Sequence, residues 1–291
     1  MHIATLLTNP AGPALDRATV ESLRNAWAGG DAIWLDPGVA AEFALAVLPD
    51  NLWQVWEGLQ AIGVDLAVQA ASGRRKRLLL ADMDSTMIEQ ECIDELADAA
   101  GVGARVAAIT ARAMNGELDF EAALRERVGL LKGLPAGVIQ DVIQTRITLM
   151  PGAKVLLATM KAHGAHAALV SGGFTAFTAR IAADLGFHEN RANTLLIADG
   201  RLTGEVAQPI LGKEAKVQAL HEISARLGIT PAEAVAVGDG ANDLGMLGLA
   251  GMGVALHAKP VVAAQCSVRV NHGDLTALLY LQGYSRAEFV E

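Results

Sequence analysis

The chain has almost no cysteine. Cys92 and Cys266 stand far apart and in no metal-ligand spacing, which excludes a disulfide framework and predicts two reduced thiols. The seven histidines, His163 and His166 among them, make neither an HxxxH pair nor a carboxylate triad, so they read as surface or capping groups. Positive charge is also short. A net charge of -9 argues against a nucleic-acid partner, because neutralising a phosphate backbone takes clustered Lys and Arg. The one basic run, Arg74, Arg75, Lys76 and Arg77, reads as a solvated linker. No apolar run is long enough to span a bilayer: "GVAAEFALAVLP" is too short and carries Glu42. The stretch "MHIATLLTNP" lacks both the basic region and the apolar core of a signal peptide, so a cytoplasmic protein with no membrane partner is expected.

With 291 residues, 52% of them apolar and 19% charged, the sequence can bury one large core or two to three small ones. Residues 2 to 70 read as strand (Ile3 to Leu7), helix (Leu15 to Trp27), strand (Ala32 to Leu35), strand (Glu42 to Val47), helix (Leu52 to Ile62) and strand (Val64 to Val68). That βαββαβ order predicts a small N-terminal α/β domain over 1–72, closed by "ASGRRKR". The remainder, 73–291, begins with the apolar strand "LLLA" and then turns helical from about 88 to 150, like a cap inserted after the first strand. From Pro151 the strand Ala167 to Val170, a helix stopped by Gly186, a hairpin turning on Asp199 and Gly200, helix 213–227 and the strand Ala234 to Val237 follow in order. Alternation of this kind predicts an α/β fold, a Rossmann-like doubly wound parallel sheet whose core spans 73–87 and 151–291.

Three strands end in polar, glycine-containing turns: "LLLADMDST", "ALVSGGF" and "VAVGDGAND". Ligands of open α/β sheets bind beyond such strand ends, so Asp82, Asp84, Ser171, Asp239 and Asp243 are expected on one rim. Burying bare carboxylates costs several kcal/mol, roughly, unless a cation or proton offsets them. An oxygen-ligand set of this composition suits Mg²⁺ together with a substrate phosphate.

"DMDST", "SGG", a lysine upstream and "GDGAND" resemble the four motifs of the haloacid dehalogenase-like phosphotransferase superfamily. "DMDSTMIEQECIDELA", "AMNGELDFEAALRERVGLLKGLP", "LVSGGF", "GRLTGEV" and "VGDGANDLGML" resemble its phosphoserine phosphatase branch across about 74–283. The resemblance implies Mg²⁺-dependent hydrolysis of O-phospho-L-serine, the last step of serine biosynthesis. It makes Asp82 the nucleophile, Asp84 the acid and base, and the Asp84 carbonyl with Asp82, Asp239 and Asp243 the metal site. It assigns phosphate to Ser171, Gly172, Lys216 and Asn242. Lys213 is as able as Lys216 to reach by chemistry alone; only the family spacing chooses between them. Glu91 is implied as the receiver of the substrate amino group and Arg127 of its carboxylate, with Met114 and Phe120 closing the cap. Phe120 and Arg127 share a helix face two turns apart. A phosphotransferase delivering to another hydroxyl, such as homoserine, shares all these motifs. An amino-acid-binding regulatory protein with an inert hydrolase domain is disfavoured by the intact Asp82, Asp84, Lys216 and Asp239. The first 70 residues resemble, more faintly, an ACT-type regulatory domain, which raises a homodimer as an expected assembly.

Overall fold

The computed structural model of the chain describes every residue except Asn115 and Gly116 and the side chain of Met114. The first six elements are β1 (His2–Leu7), α1 (Arg17–Ala26), β2 (Ile33–Asp36), β3 (Ala40–Leu45), α2 (Leu52–Gln60) and β4 (Asp65–Ala70). They form an antiparallel sheet of order β2-β3-β1-β4, the predicted βαββαβ arrangement. Alternate residues of β1 and β3 meet the apolar faces of both helices, burying Ala4, Leu6, Val20, Phe43, Leu59 and Leu66. Asp16 starts α1 by accepting the Thr19 amide at 3.3 Å.

The strand β5 (Leu78–Ala81) is buried along its whole length, as expected where both sheet faces are covered. Among the described residues four helices follow with no strand between them: α3 (Cys92–Ala99), α4 (Gly103–Met114), α5 (Phe120–Gly129) and α6 (Gly137–Thr145). The next elements are α7 (Ala153–Ala162), β6 (His166–Phe174), α8 (Thr175–Leu185), β7 (Glu189–Asn193), β8 (Leu195–Ala198), β9 (Arg201–Val206) and α9 (Lys213–Arg226). The chain ends with β10 (Ala234–Gly238), α10 (Leu244–Leu249), β11 (Met252–Leu256), α11 (Pro260–Ala263), β12 (Val268–Val270) and α12 (Ala277–Leu281). Six strands make one sheet of order β12-β11-β10-β5-β6-β7, in which β6–β7, β10–β11 and β11–β12 pair in parallel. The turn of the β8–β9 hairpin puts Asp199 at φ +49° and Gly200 at φ +71°, the double left-handed geometry such tight turns need. No helix among the described residues is long and apolar enough to cross a membrane.

The chain divides into two compact units, Met1–Leu80 with Pro151–Ala167 and Leu220–Glu291, and Ala81–Met150 with Ala168–Ala219. In the first unit the N-terminal sheet is bound to the segment after β12 by a fully buried carboxylate. Asp65 accepts the consecutive amides of Asn271, His272 and Gly273 at 2.9, 3.0 and 2.8 Å. The basic run is a correction to the sequence reading, since two of its members are not solvated. Arg74 pairs with Glu42 at 2.6 Å and donates to the carbonyls of Tyr280 and Leu281, while Lys76 is buried and donates to the Ala232 carbonyl at 2.8 Å. Long stems let such residues cross apolar ground and spend their charge on buried acceptors. Replacing Asp65 by Ala strands three amides at once. Urea unfolding is expected to show a loss of about 2–3 kcal/mol, and no measurable loss would mean water replaces the carboxylate.

Candidate active site

Asp82 is the first residue beyond β5 and is nearly buried. Its Oδ1 lies 2.8 Å from Nζ of Lys216, whose side chain is 1% exposed. Lys216 sits one turn into α9, facing inward, whereas Lys213 at the helix start is exposed and 3.8 Å from Glu214. Folding thus separates two lysines that chemistry alone left equivalent.

The chain after Asp82 turns tightly around the Met83 carbonyl, which accepts the amides of Thr86, Met87 and Ile88 at 3.2, 2.8 and 3.1 Å. Ser85 takes the left-handed φ of +53° inside this turn. Asp84 accepts the Cys92 amide at 3.3 Å. Burial, then the charges of Glu91 and Asp82, raise its pKa well above the usual carboxylate range. A shift in this direction favours the protonated carboxyl, the form that can donate a proton. Burial likewise pushes the Cys92 thiol up, which makes it inert packing.

Ser171 and Gly172 lie near the end of β6, with Ser171 2% exposed and its Oγ accepting the Gly173 amide at 2.9 Å. A Cβ on Gly173 would sit 2.8 Å from Asp84 Oδ2, so any other residue here would push the Asp84 carboxylate aside. Phe120 covers Gly172, its Cζ 3.3 Å from where a Cβ would stand. The buried side chain of Asn193 donates to the carbonyls of Gly172 and Leu211 at 2.8 and 3.2 Å and accepts the Leu211 amide at 2.7 Å. It ties the serine–glycine loop to the loop before α9. The sequence reading missed Asn193, and a single amide at a strand end carries no pattern that would reveal it.

In the helical insert, Glu91 precedes α3 and accepts the Ser85 hydroxyl at 2.9 Å. Arg127 lies in α5, the helix that starts with Phe120, and donates through Nε to the Ala123 carbonyl at 3.2 Å. Burial lowers the pKa of its guanidinium, and Asp94, Glu91 and Asp84 act in the opposite sense. Met114 was expected to help close the site, but its side chain lies outside the described residues.

Asp239, Asn242 and Asp243 follow β10. Asp243 is fully buried, accepts the Gly240 amide at 3.0 Å, and fills the space a Cβ at Gly238 would need. One carboxylate oxygen from each of Asp82, Asp239 and Asp243 lies within 4.8 Å of the other two, the single such group among the described residues. Asp82 Oδ1 has its ion pair but no hydrogen bond of good geometry. An oxygen-only donor set, with Asp82 and Asp243 buried and Asp239 partly so, fits a hard divalent cation.

The geometry is that of a phosphoryl-transfer enzyme working through a carboxylate, and residues 79–248 match the family of haloacid dehalogenase-like hydrolases. The chain belongs to that family. The phosphoserine phosphatase of Polaromonas sp. is 50% identical over 210 residues, covering 70% of this chain and 89% of that protein. The phosphoserine phosphatase of Streptomyces coelicolor is 46% identical over 256 residues, 87% of this chain, and the match spans 62% of that longer protein. The crystal structure of a HAD family hydrolase from Salmonella enterica serovar Typhi superposes with a TM-score of 0.86 at 33% identity, over 97% of this chain and 98% of that one.

Proposed function

We propose that this protein is a phosphoserine phosphatase, cleaving O-phospho-L-serine to L-serine and phosphate as the last step of serine biosynthesis. The observation that carries the reading is the join of two chemistries in one compact unit. Asp82 is paired with Lys216 next to Asp84, whose pKa is raised, and the same unit holds Glu91 and Arg127, opposite charges that match those of an amino acid. The names of the two relatives point the same way.

An Asp82 carboxylate oxygen attacks phosphorus, and the bond from phosphorus to the serine oxygen breaks as an aspartyl-phosphate forms. Asp84 gives its proton to the leaving serine oxygen. It then takes a proton from the water that attacks the aspartyl-phosphate, and the acid form is restored as phosphate departs. Ser171, the Gly172 amide, Asn242 and Lys216 hold the phosphoryl oxygens. Lys216, kept against Asp82, also offsets negative charge on the transferring group. Glu91 receives the ammonium, Arg127 the carboxylate, and Phe120 excludes water. Asp82, Asp239, Asp243 and the Asp84 carbonyl would hold Mg²⁺, which supplies positive charge to the phosphoryl group when bound.

The same reading includes a cytoplasmic enzyme, an N-terminal ACT-like domain over 1–72 and a homodimer. Phosphate and L-serine should be released in equal amounts from O-phospho-L-serine with Mg²⁺, should stop with EDTA and should return when Mg²⁺ is restored. Homoserine in the assay distinguishes the alternative acceptor: O-phosphohomoserine formed at the expense of phosphate would make the protein a transferase. Absence of either product would end the reading.

A further inference from the structure

Where the chain runs into and out of the helical insert, two short segments pair. Ile88 bridges Leu149 in antiparallel fashion, Glu89 donates its amide to the Thr148 carbonyl at 3.1 Å, and Met150 donates to the Met87 carbonyl at 3.0 Å. This neck is too short to be stiff by itself, since an isolated two-stranded ladder is marginal in water. A side-chain network reinforces it. Gln90 Nε2 donates to Thr148 Oγ1 at 2.7 Å, and Gln90 Oε1 accepts the Thr148 amide at 2.9 Å. Thr148 Oγ1 in turn donates a hydrogen bond to Glu89 Oε2 at 2.6 Å. One threonine therefore holds the side chains of two successive residues on the incoming segment.

The residue after Gln90 is Glu91. Its carboxylate is exposed and makes no capping bond to α3. Ser85 Oγ donates to its Oε1 at 2.9 Å, and the Ser85 amide is held by the Gln90 carbonyl at 3.2 Å. The Gln90–Thr148 pair thus fixes the peptide from which Glu91 projects, and it does so at the surface, where such bonds add little to global stability.

We propose that Gln90 and Thr148 form a positioning clasp that aims Glu91 at the substrate's ammonium group, so that two surface residues outside the catalytic motifs set amino-group specificity. This rests on the reading of Glu91 given above. Its signature is selective. Losing the clasp loosens Glu91 and weakens binding of a substrate that carries an amino group, and leaves Asp82, Lys216 and the phosphate loop in place.

The test compares O-phospho-L-serine with 3-phosphooxypropanoate, the same molecule without its amino group, in the full chain with Mg²⁺. Thr148→Val, which keeps the shape and removes the hydroxyl, and Gln90→Leu should each lower the ratio of the two kcat/KM values about fivefold to tenfold. The change should appear in KM for O-phospho-L-serine, with the amino-free substrate and the melting temperature unaltered. Thr148→Ser keeps the hydroxyl and should keep the ratio. Glu91→Gln serves as the reference and should lower the ratio further. If Glu91→Gln lowers it and the clasp variants do not, or if they slow both substrates equally, the clasp has no such role and the reading of Glu91 stands. If Glu91→Gln leaves the ratio unchanged, Glu91 is not the ammonium site and the clasp proposal falls with it.

Discussion

Asp82→Asn is expected to reduce turnover of O-phospho-L-serine by roughly a thousandfold or more in a protein that still folds. Asparagine has nearly the shape of aspartate, so β5 and the turn around the Met83 carbonyl keep their packing. What disappears is the carboxylate, paired with Lys216 Nζ at 2.8 Å, that is proposed as the nucleophile. The substitution also removes one of the three carboxylates grouped within 4.8 Å, so Mg²⁺ affinity should fall along with rate. A quench experiment separates the two effects. Wild type mixed with substrate and denatured in acid should carry one phosphoryl group on the peptide containing Asp82, and the variant should carry none at any Mg²⁺ concentration. Turnover within about tenfold of wild type would remove Asp82 from the chemistry. Circular dichroism and melting should show an intact fold, which distinguishes lost chemistry from lost structure.

Arg127→Ala should lower kcat/KM for O-phospho-L-serine by roughly 2–4 kcal/mol of transition-state binding, the range for truncating one partner of a desolvated charge pair. Half-buried on α5, the guanidinium is kept in place by the carbonyl one turn earlier and by the Thr110 hydroxyl 3.5 Å away. Burial disfavours its charge and the surrounding acids favour it, the setting in which the proposed substrate carboxylate would meet its planar fork. Phosphoethanolamine, which has the amine and lacks the carboxylate, should change little. Arg127→Lys would keep the charge without the planar fork and recover only part of the preference. Equal losses on both substrates would instead give Arg127 a part in closing the insert or holding phosphate. No loss would return it to the helix surface.

Much of this site could be read from residue order alone. An apolar strand ending in two carboxylates two apart, a Ser-Gly-Gly turn and a Gly-Asp-Gly-Ala-Asn-Asp turn are local features, because strand ends and tight turns are specified by neighbours in the chain. The βαββαβ order of the first 70 residues was legible for the same reason, as were Gly186 as a helix stop and the Asp199–Gly200 turn. Arg74 and Lys76 were misread as solvated because a run of like charge has the composition of a linker. Their acceptors, Glu42 and the Ala232 carbonyl, are 32 and 156 positions away.

By itself, then, the sequence determined the elements, the α/β class and the residue types available for phosphoryl transfer, since each follows from periodicity or from short motifs. Only the tertiary structure decided which of those residues act on each other. It buried Lys216 and exposed Lys213, although both occupy the first turn of α9. It raised the pKa of Asp84 through burial and the charges of Glu91 and Asp82, and it brought Gly173 so near Asp84 that a Cβ there would displace the Asp84 carboxylate. It also drew Asn193 between two loops and Thr148 onto Gln90. Such pairings depend on distance and exclusion of water between segments far apart in the chain, and neither quantity is written in residue order.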